Sequence, residues 1–407
     1  MDGETCQNRA MPSTFGWLDA DSEHSRRMLE VVDLFKEQGT LDELGIGSIR
    51  DALSDALFPG TSTIHTRLRY VLFIPWLLRR AAHKPTPAEM STEFRNLEYR
   101  MITSLLAGGE KLGVIGNTAR TALKQMPSGV YWGALDAWGI SRAGFSTDGF
   151  FRRQYDYRQL ARRTATTDDP EARELLPGDG LDPHLLLPPD DLLRAATFEL
   201  TDDEEQYLSD AIARSTAGSM LSWLVLNRPA TMPDFVWDID ILHDTPAPLA
   251  EIVDHARRFS VAIHGANILY NLVLARQARR DDLVARYEDL IEQWRGELHR
   301  TGVLDGWDRD AWWAVIRRQN PRLRPITRQF VDRWLDLVGT HDDIAASREA
   351  ASLISTRERQ IKGGRARTVN QSALDRWGGD SGLGRHDFRW VVARRHLQDL
   401  YRARDVA

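Results

Sequence analysis

The chain has 407 residues, of which 42% are hydrophobic and 28% are charged, and its formal net charge is −6. The length exceeds what one hydrophobic core usually supports, and the net charge argues against a surface that binds nucleic acid all over. The longest apolar run, residues 70–78, is much shorter than the ~20 residues of a membrane-spanning helix. The leader MDGETCQNRAMPS lacks the apolar core of a signal peptide and contains the single cysteine. We therefore expect a cytoplasmic protein that neither uses disulfides nor binds a membrane.

Helical patterns dominate the first part of the chain. Apolar positions at helical spacing over residues 22–38 predict an amphipathic helix that ends at Gly39. A short helix is expected to open at Ser48 and to end before Pro59. A long apolar helix over residues 63–82 is expected next, with a kink at its internal proline. A helix that starts near residue 64 would place His65, Arg69 and Trp76 on one face.

Start signals for the following helices are local. Thr86 precedes a proline and is followed three residues later by Glu89, which predicts a helix that ends before the Gly-Gly pair at 108–109. The Gly-rich segment 111–118 is typical of a turn or a short hairpin. Helices are expected over residues 127–140 and 147–163.

A proline-rich acidic segment separates these helices from the second part of the chain. Residues 164–190 contain five prolines and a block of Asp, which indicates a boundary or linker. Thr201 and Glu204 form a capping-box pattern at the next helix. Further helices are expected over residues 209–226 (with a break near Gly218), 249–277, 281–298, 309–318, 327–339, 345–360 and 386–404.

Charge is distributed unevenly along the chain. Residues 168–210 hold fourteen acidic residues and two Arg, a local net charge of −12, whereas residues 345–407 hold thirteen Lys or Arg and seven acidic residues, a net charge of +6. These patterns predict a mainly α fold with two helical domains and a small basic C-terminal helical unit. The predicted parts are an N-terminal helical domain (1–165), an acidic connector (166–200), a helical bundle (201–344) and the basic unit (345–407).

The first candidate site lies at residues 57–70, LFPGTSTIHTRLRY, where a Pro-Gly turn and polar side chains lead into an apolar block. Polar groups beside a buried segment need partners, so the motif predicts either a binding site or a structural network. Two guanidiniums and several hydroxyls suit a phosphate or a carboxylate. The alternative is a buried network that orients the next helix against Trp132 and Trp138. The candidate binding residues are Thr61, Thr63, Arg67, Arg69 and Tyr70.

The second candidate site is the basic tail, in which Arg and Lys alternate with Trp around two glycines. This composition suits phosphates and a stacked base, and it equally suits an acidic protein surface, this chain's own acidic connector, or a plain solvated face. The candidate residues are Lys362, Arg365, Arg367, Arg389 and Trp390.

Common catalytic signatures do not occur in the sequence: it has no phosphate-binding P-loop, no paired CxxC and no HExxH. Three His-Asp dipeptides begin at His243, His341 and His386, and His255 and His264 lie on one long predicted helix. Such pairs can hold a metal that activates water in helical phosphohydrolases, so a metal-dependent phosphodiesterase or nuclease stays open as an alternative. The default expectation is capping or loop roles, with no metal and no cofactor.

Three segments resemble one uncharacterised bacterial family, a domain of unknown function: LFPGTSTIHTRLRYVLFIPWLLR, GVIGNTARTALKQMPSGVYWGALDAWGI and ERQIKGGRARTVNQSALDRWGGDSGLGRHDFRW. The likeness covers nearly the whole chain. His65 stands where relatives are expected to carry Gln, which argues against a metal or acid-base role for it. The resemblance implies no active site, and it implies a genomic setting near DNA-processing and phage-defence genes.

The sequence thus favours a non-enzymatic accessory protein that binds DNA or RNA, within a phage-defence or DNA-processing system that would supply a protein partner. The first alternative is a protein–protein scaffold that uses the tail, and the second is the metal-dependent phosphodiesterase or nuclease.

Overall fold

A computed structural model describes residues 42–117, 123, 125–142, 146–165 and 179–406. The mainly α prediction is confirmed: within these residues the structure has fourteen α-helices, three short 3₁₀-helices and one isolated bridge, between Ser141 and Leu181. The helix expected over residues 22–38 lies outside the described part.

The α-helices are described in two groups in chain order. The first group consists of α1 (Gly47–Leu57), α2 (Tyr70–Ala81), α3 (Pro87–Ala107), α4 (Pro127–Ala137) and α5 (Thr147–Ala165). The second group consists of α6 (Asp202–Ser215), α7 (Met220–Leu226), α8 (Ala247–Gln277), α9 (Asp281–Thr301), α10 (Arg309–Gln319), α11 (Pro325–Thr340), α12 (Arg348–Lys362), α13 (Gln371–Asp375) and α14 (Trp390–Val406). The 3₁₀-helices are Val236–Asp238, Leu242–Asp244 and Gly363–Arg365.

The structure confirms several predicted helix starts and one predicted helix break. The Thr86 hydroxyl accepts a hydrogen bond from the Glu89 N–H at 3.3 Å. Thr201 and Glu204 form both hydrogen bonds of the predicted capping box. The expected break near Gly218 separates α6 from α7, and that glycine has a φ of +82°. These signals act over three or four residues, so they can be predicted from the sequence alone.

The prediction of one helix over residues 63–82 was wrong at its start, because α2 begins only at Tyr70. The backbone N–H groups of Thr66 and Arg67 donate to the Tyr131 hydroxyl, and that of Leu68 donates to the Asp399 carboxylate. Distant side chains therefore take donors that a helix would give to carbonyls four residues earlier. His65 and Arg69 consequently do not share a helical face. The expected proline lies inside α2, and the kink stays a prediction.

The last helix also begins later than expected, at Trp390 rather than residue 386. Phe388 and Arg389 have φ values of +54° and +69°. A left-handed backbone cannot continue a right-handed helix, so the two residues form a turn before α14.

The 31-residue helix α8 runs through the centre of the second group. It packs against α1, α9, α10, α11 and α12. Gly265, in the middle of α8, allows α9 to approach closely, since a Cβ there would lie 2.3 Å from the Trp294 ring. A side chain at that position would force the two helices apart.

The first and the last helix of the described chain both pack against helices of the second group. α1 packs against α8 and α10, and α14 packs against α6 and α7. The buried hydrophobic residues form one connected cluster that extends from Leu44 to Tyr401. The four-part division of the sequence stays a prediction. No helix in the described ranges is both long and apolar enough to cross a membrane.

Candidate functional site

The Arg67 side chain lies between two acidic groups and an aromatic ring. Its guanidinium Nε is 3.1 Å from both carboxylate oxygens of Asp399 on α14, and Glu110 lies 3.9 Å from a terminal nitrogen. The same guanidinium stacks 4.8 Å above the centre of the Phe198 ring. The cation is therefore paired within the protein, and a phosphate would have to displace Asp399 to reach it.

Tyr131 on α4 fixes the backbone of the motif. Its hydroxyl accepts hydrogen bonds from the N–H groups of Thr66 and Arg67 at 2.7 and 2.9 Å, and it donates to the Arg67 carbonyl at 2.8 Å. Burial raises the pKa of Tyr131 well above its ordinary value. The phenol therefore stays protonated and can complete all three hydrogen bonds.

The remaining residues of the first motif also have internal partners, with one exception. Arg69 is 7% exposed and donates to Glu204 at 2.7 Å and to the Thr197 carbonyl at 2.8 Å. The Tyr70 hydroxyl accepts from the Ile115 N–H at 2.9 Å, and the Thr61 hydroxyl donates to the Phe58 carbonyl at 2.6 Å. The exception, Thr63, is exposed. Whether the motif is a binding site or a structural network thus stays a prediction.

Two buried histidines lie within the same network. The His65 ring stacks on Tyr131 with a centroid distance of 4.2 Å, and the His396 ring on α14 lies 5.6 Å from that of His65. Burial lowers the pKa of His65 to about 4 and places that of His396 well below its ordinary value. Both rings are therefore uncharged near neutral pH. Neither nitrogen of His396 has a hydrogen-bond partner within the described part of the chain.

The C-terminal part of the tail meets the first motif. Arg389 donates to the Thr61 carbonyl at 2.9 Å and to Asp55 at 2.6 Å, and Arg395 donates to the His65 carbonyl at 3.2 Å. Trp390 is buried, and its indole N–H donates to the Pro233 carbonyl at 2.8 Å. Two regions that the sequence treated as separate candidates therefore share contacts.

The other half of the tail forms a second polar cluster, around Glu43. Arg367 donates to Glu43 at 2.7 Å, and Lys362 contacts Glu43 and lies 3.0 Å from Glu358. Burial alone raises the pKa of Glu358, but hydrogen bonds from Tyr270, from two backbone N–H groups and from Lys362 outweigh it and bring the pKa to about 2. The charges of the two basic residues are thus matched by two carboxylates.

Among the five candidates of the tail, Arg365 differs from the rest. It ends the 3₁₀-helix Gly363–Arg365 and is exposed. Its guanidinium has no hydrogen bond or ion pair with the residues that the structure describes. It is the candidate whose charge faces solvent.

The His-Asp dipeptides lie in different surroundings. His243 is exposed, 3.4 Å from Asp244, and His341 caps the end of α11. His386 precedes the turn before α14, and burial lowers its pKa to about 3. In the described ranges, no group of three or more His, Cys, Asp or Glu side chains is arranged to hold a metal ion.

An arginine patch that the sequence reading missed lies where α10 ends and α11 begins. Residues 317–328 contain five arginines and no acidic residue, a signal that a local charge count would have found. Four of them are exposed, and their guanidiniums have no hydrogen bond or ion pair with described residues, whereas Arg328 pairs with Asp332 at 3.3 Å. The four that define the patch are Arg317, Arg318, Arg322 and Arg324.

A family model described as a family of unknown function, DUF6361, matches residues 12–404. The chain belongs to this family. The match spans the first motif, the second segment around α4 and the basic tail, as the resemblance of those segments implied. No match was found among curated proteins or among solved structures.

Proposed function

We propose that this member of DUF6361 is a non-enzymatic accessory protein that binds the phosphate backbone of DNA or RNA through the arginine patch. The observation that supports it is the set of four exposed guanidiniums, none of which is paired within the described part of the chain. Guanidinium forks match phosphate oxygens, and phosphates give most of the affinity of sequence-independent binding.

The helices that carry the arginine patch are held in place by buried contacts, which supports its use as a binding surface. Trp312 and Trp313 on α10 are buried, and α10 packs against α1. The buried Arg357 donates to the Thr327 hydroxyl at 2.9 Å and to the Leu44 carbonyl at 2.7 Å, which ties the first turn of α11 to α12. The arginines thus project from a fixed base, so binding would not require the patch to fold first.

The internally paired arginines are assigned a different role. Arg67, Arg69, Arg367 and Arg389 each contact a carboxylate of the chain. Removing a buried charge from its partner is costly, so these four stabilise the fold rather than the complex. Arg365 is exposed and is retained as an additional phosphate contact. A role in a phage-defence or DNA-processing system rests on the resemblance alone.

The test is a salt titration of binding. Fluorescence anisotropy with labelled duplex DNA, single-stranded DNA and RNA is measured for the chain and for a variant with Arg317, Arg318, Arg322 and Arg324 changed to Gln. Four lost phosphate contacts should lower the slope of log K against log salt by about 3 to 4 and weaken binding by more than about tenfold.

A matched control carries the same change of charge elsewhere. The guanidiniums of four other exposed arginines have no hydrogen bond or ion pair with described residues: Arg80, Arg100, Arg300 and Arg402. Changing all four to Gln also removes four positive charges. The control should bind nearly as well as the unchanged chain. Absence of binding by the unchanged chain, or equal loss in both variants, would refute the proposal. A stoichiometric protein partner that survives nuclease treatment would instead favour the scaffold.

A further inference from the structure

A cavity of about 460 Å³ lies between the α8–α9 turn and the segment that contains α13. Side chains with complementary hydrogen-bonding capacity line it: Gln277, Arg279, Arg280, Gln371, Asp375 and Trp377. Its volume falls within the range of pockets that hold small organic ligands. None of its lining residues belongs to the arginine patch or to the buried polar networks around Arg67 and Glu43.

The α8–α9 turn contains two consecutive arginines. Helix α8 ends at Gln277 and α9 begins at Asp281, so Arg279 and Arg280 lie in the turn itself. Arg279 has a φ of +54°, a conformation that glycine or asparagine adopts with less strain. A strained arginine at this point is a reason to look for a function of its charge.

The two arginines have little internal compensation. Arg280 lies 3.8 Å from Asp282, a long contact between two exposed side chains. Arg279 is exposed, and its guanidinium has no hydrogen bond or ion pair within the described chain. Asp375, the one carboxylate that lines the cavity, accepts a hydrogen bond from the Gln371 amide at 2.7 Å. The lining therefore has a net positive charge.

The cavity wall also contains a buried donor with no acceptor. Trp377 is 5% exposed, and its indole N–H is buried without a hydrogen-bond partner among the described residues. The nitrogen itself has almost no accessible surface, so it is not assigned a hydrogen bond to a ligand. The Gln277 amide nitrogen donates to the Thr368 carbonyl at 3.3 Å and the Gln371 amide nitrogen donates to Asp375, so both amide oxygens remain as acceptors.

We propose that this cavity binds a small organic anion of about nucleotide size. Its phosphate or carboxylate group pairs with Arg279 and Arg280, and a donor atom contacts an amide oxygen of Gln277 or Gln371. A guanidinium binds phosphate and carboxylate oxygens with the same fork geometry, so both chemical classes fit the site.

Isothermal titration calorimetry on the full chain, with four probes, tests the proposal. AMP and citrate represent the phosphate and carboxylate classes, adenosine lacks the anionic group, and inorganic phosphate lacks the organic part. We expect binding of AMP or of citrate, which identifies the class, and no measurable binding of adenosine. Failure of both AMP and citrate to bind, or binding of inorganic phosphate as tight as theirs, would overturn the proposal.

Two substitutions locate the binding. Arg279→Asn removes a charge while keeping a residue that tolerates positive φ, and Arg280→Gln removes the second charge. Each should weaken binding by about tenfold. Arg300→Gln, an exposed arginine in the last turn of α9 and outside the cavity, is the matched control and should leave binding unchanged.

Two results separate this proposal from that for the arginine patch. The variant with four Gln in the patch should bind the small anion as the unchanged chain does. Arg279→Asn should not lower the melting temperature, since it relieves backbone strain, so a loss of binding cannot be attributed to misfolding. Affinities of Arg279→Asn and Arg280→Gln within about twofold of the unchanged chain would refute the site.

Discussion

Arg67 and Asp399 form a direct ion pair between the first motif and the C-terminal helix, with the guanidinium Nε 3.1 Å from both carboxylate oxygens and a terminal nitrogen 3.0 Å from one of them. The same carboxylate accepts the Leu68 N–H at 3.0 Å, and Asp399 is 5% exposed. The Asp399 side chain on α14 therefore neutralises Arg67. It also accepts a backbone N–H of the motif that would otherwise be available to a helical hydrogen bond.

Asp399→Ala should lower the free energy of unfolding by about 3 to 5 kcal/mol, because it leaves a partly buried cation and a buried N–H without a partner. Chemical denaturation measures this change. Asp405→Ala on the same helix is the control, since Asp405 pairs with Arg228 at the surface and should contribute far less to stability. A similar small effect for both variants would show that the Arg67 pair does not hold the motif.

Glu98 on α3 is expected to make the protein less stable as the pH rises. It is 2% exposed, and burial raises the pKa of its carboxyl to about 7 although the Ser128 N–H, at 2.8 Å, opposes this. The folded state thus binds more protons than the unfolded state between about pH 4.5 and 7, so stability falls through that window.

Glu98→Gln keeps an oxygen acceptor for the Ser128 N–H and removes the charge. We expect it to raise the free energy of unfolding by about 3 kcal/mol at pH 8, with little change at pH 4. Melting temperatures measured across this range check the prediction. The exposed Glu89→Gln, in the first turn of α3, should show no such trend, and an equal trend in both variants would contradict it.

His65 acts in the opposite direction. Its folded pKa of about 4 lies below the ordinary value of 6.5, so the unfolded state binds more protons between these values and stability falls as the pH falls. His65→Gln should reduce the loss of unfolding free energy between pH 7 and 5 by about 2 kcal/mol. Denaturation at the two pH values measures it. An unchanged loss would mean that this histidine is accessible to protons in the folded state. The control is His243→Gln, at an exposed site.

Gly60 is expected to tolerate no side chain. Its φ is +82°, and a Cβ would lie 2.5 Å from Trp138 Nε1, which donates to the Pro59 carbonyl at 3.0 Å. Gly60→Ala should cost about 2 to 4 kcal/mol through backbone strain and the displaced buried indole. Gly109→Ala has similar strain at φ +90° but no atom within 4 Å, and it should cost about 1 kcal/mol. Equal losses in thermal denaturation would refute the steric argument.

The sequence alone determined the helical class and most helix boundaries. The caps of α3 and α6 are hydrogen bonds between residues three positions apart, made by Thr86 in α3 and by Thr201 and Glu204 in α6. A proline or a glycine acts on its own backbone. Such interactions depend on neighbours in the chain, so a single sequence contains them. The segments that resembled a family of unknown function likewise lie within the range that the family covers.

Tertiary structure decided which charges are paired. Arg67 and Arg69 find their carboxylates 332 and 135 residues away, and Tyr131 reaches the motif from α4, so no local pattern could have shown that these arginines are engaged. Residues 317–328 are as basic in the sequence as the tail, yet only the fold leaves four of their arginines exposed and unpaired within the described chain. The type of a residue fixes its charge, whereas burial and the partners brought by distant segments determine whether that charge remains available to a ligand.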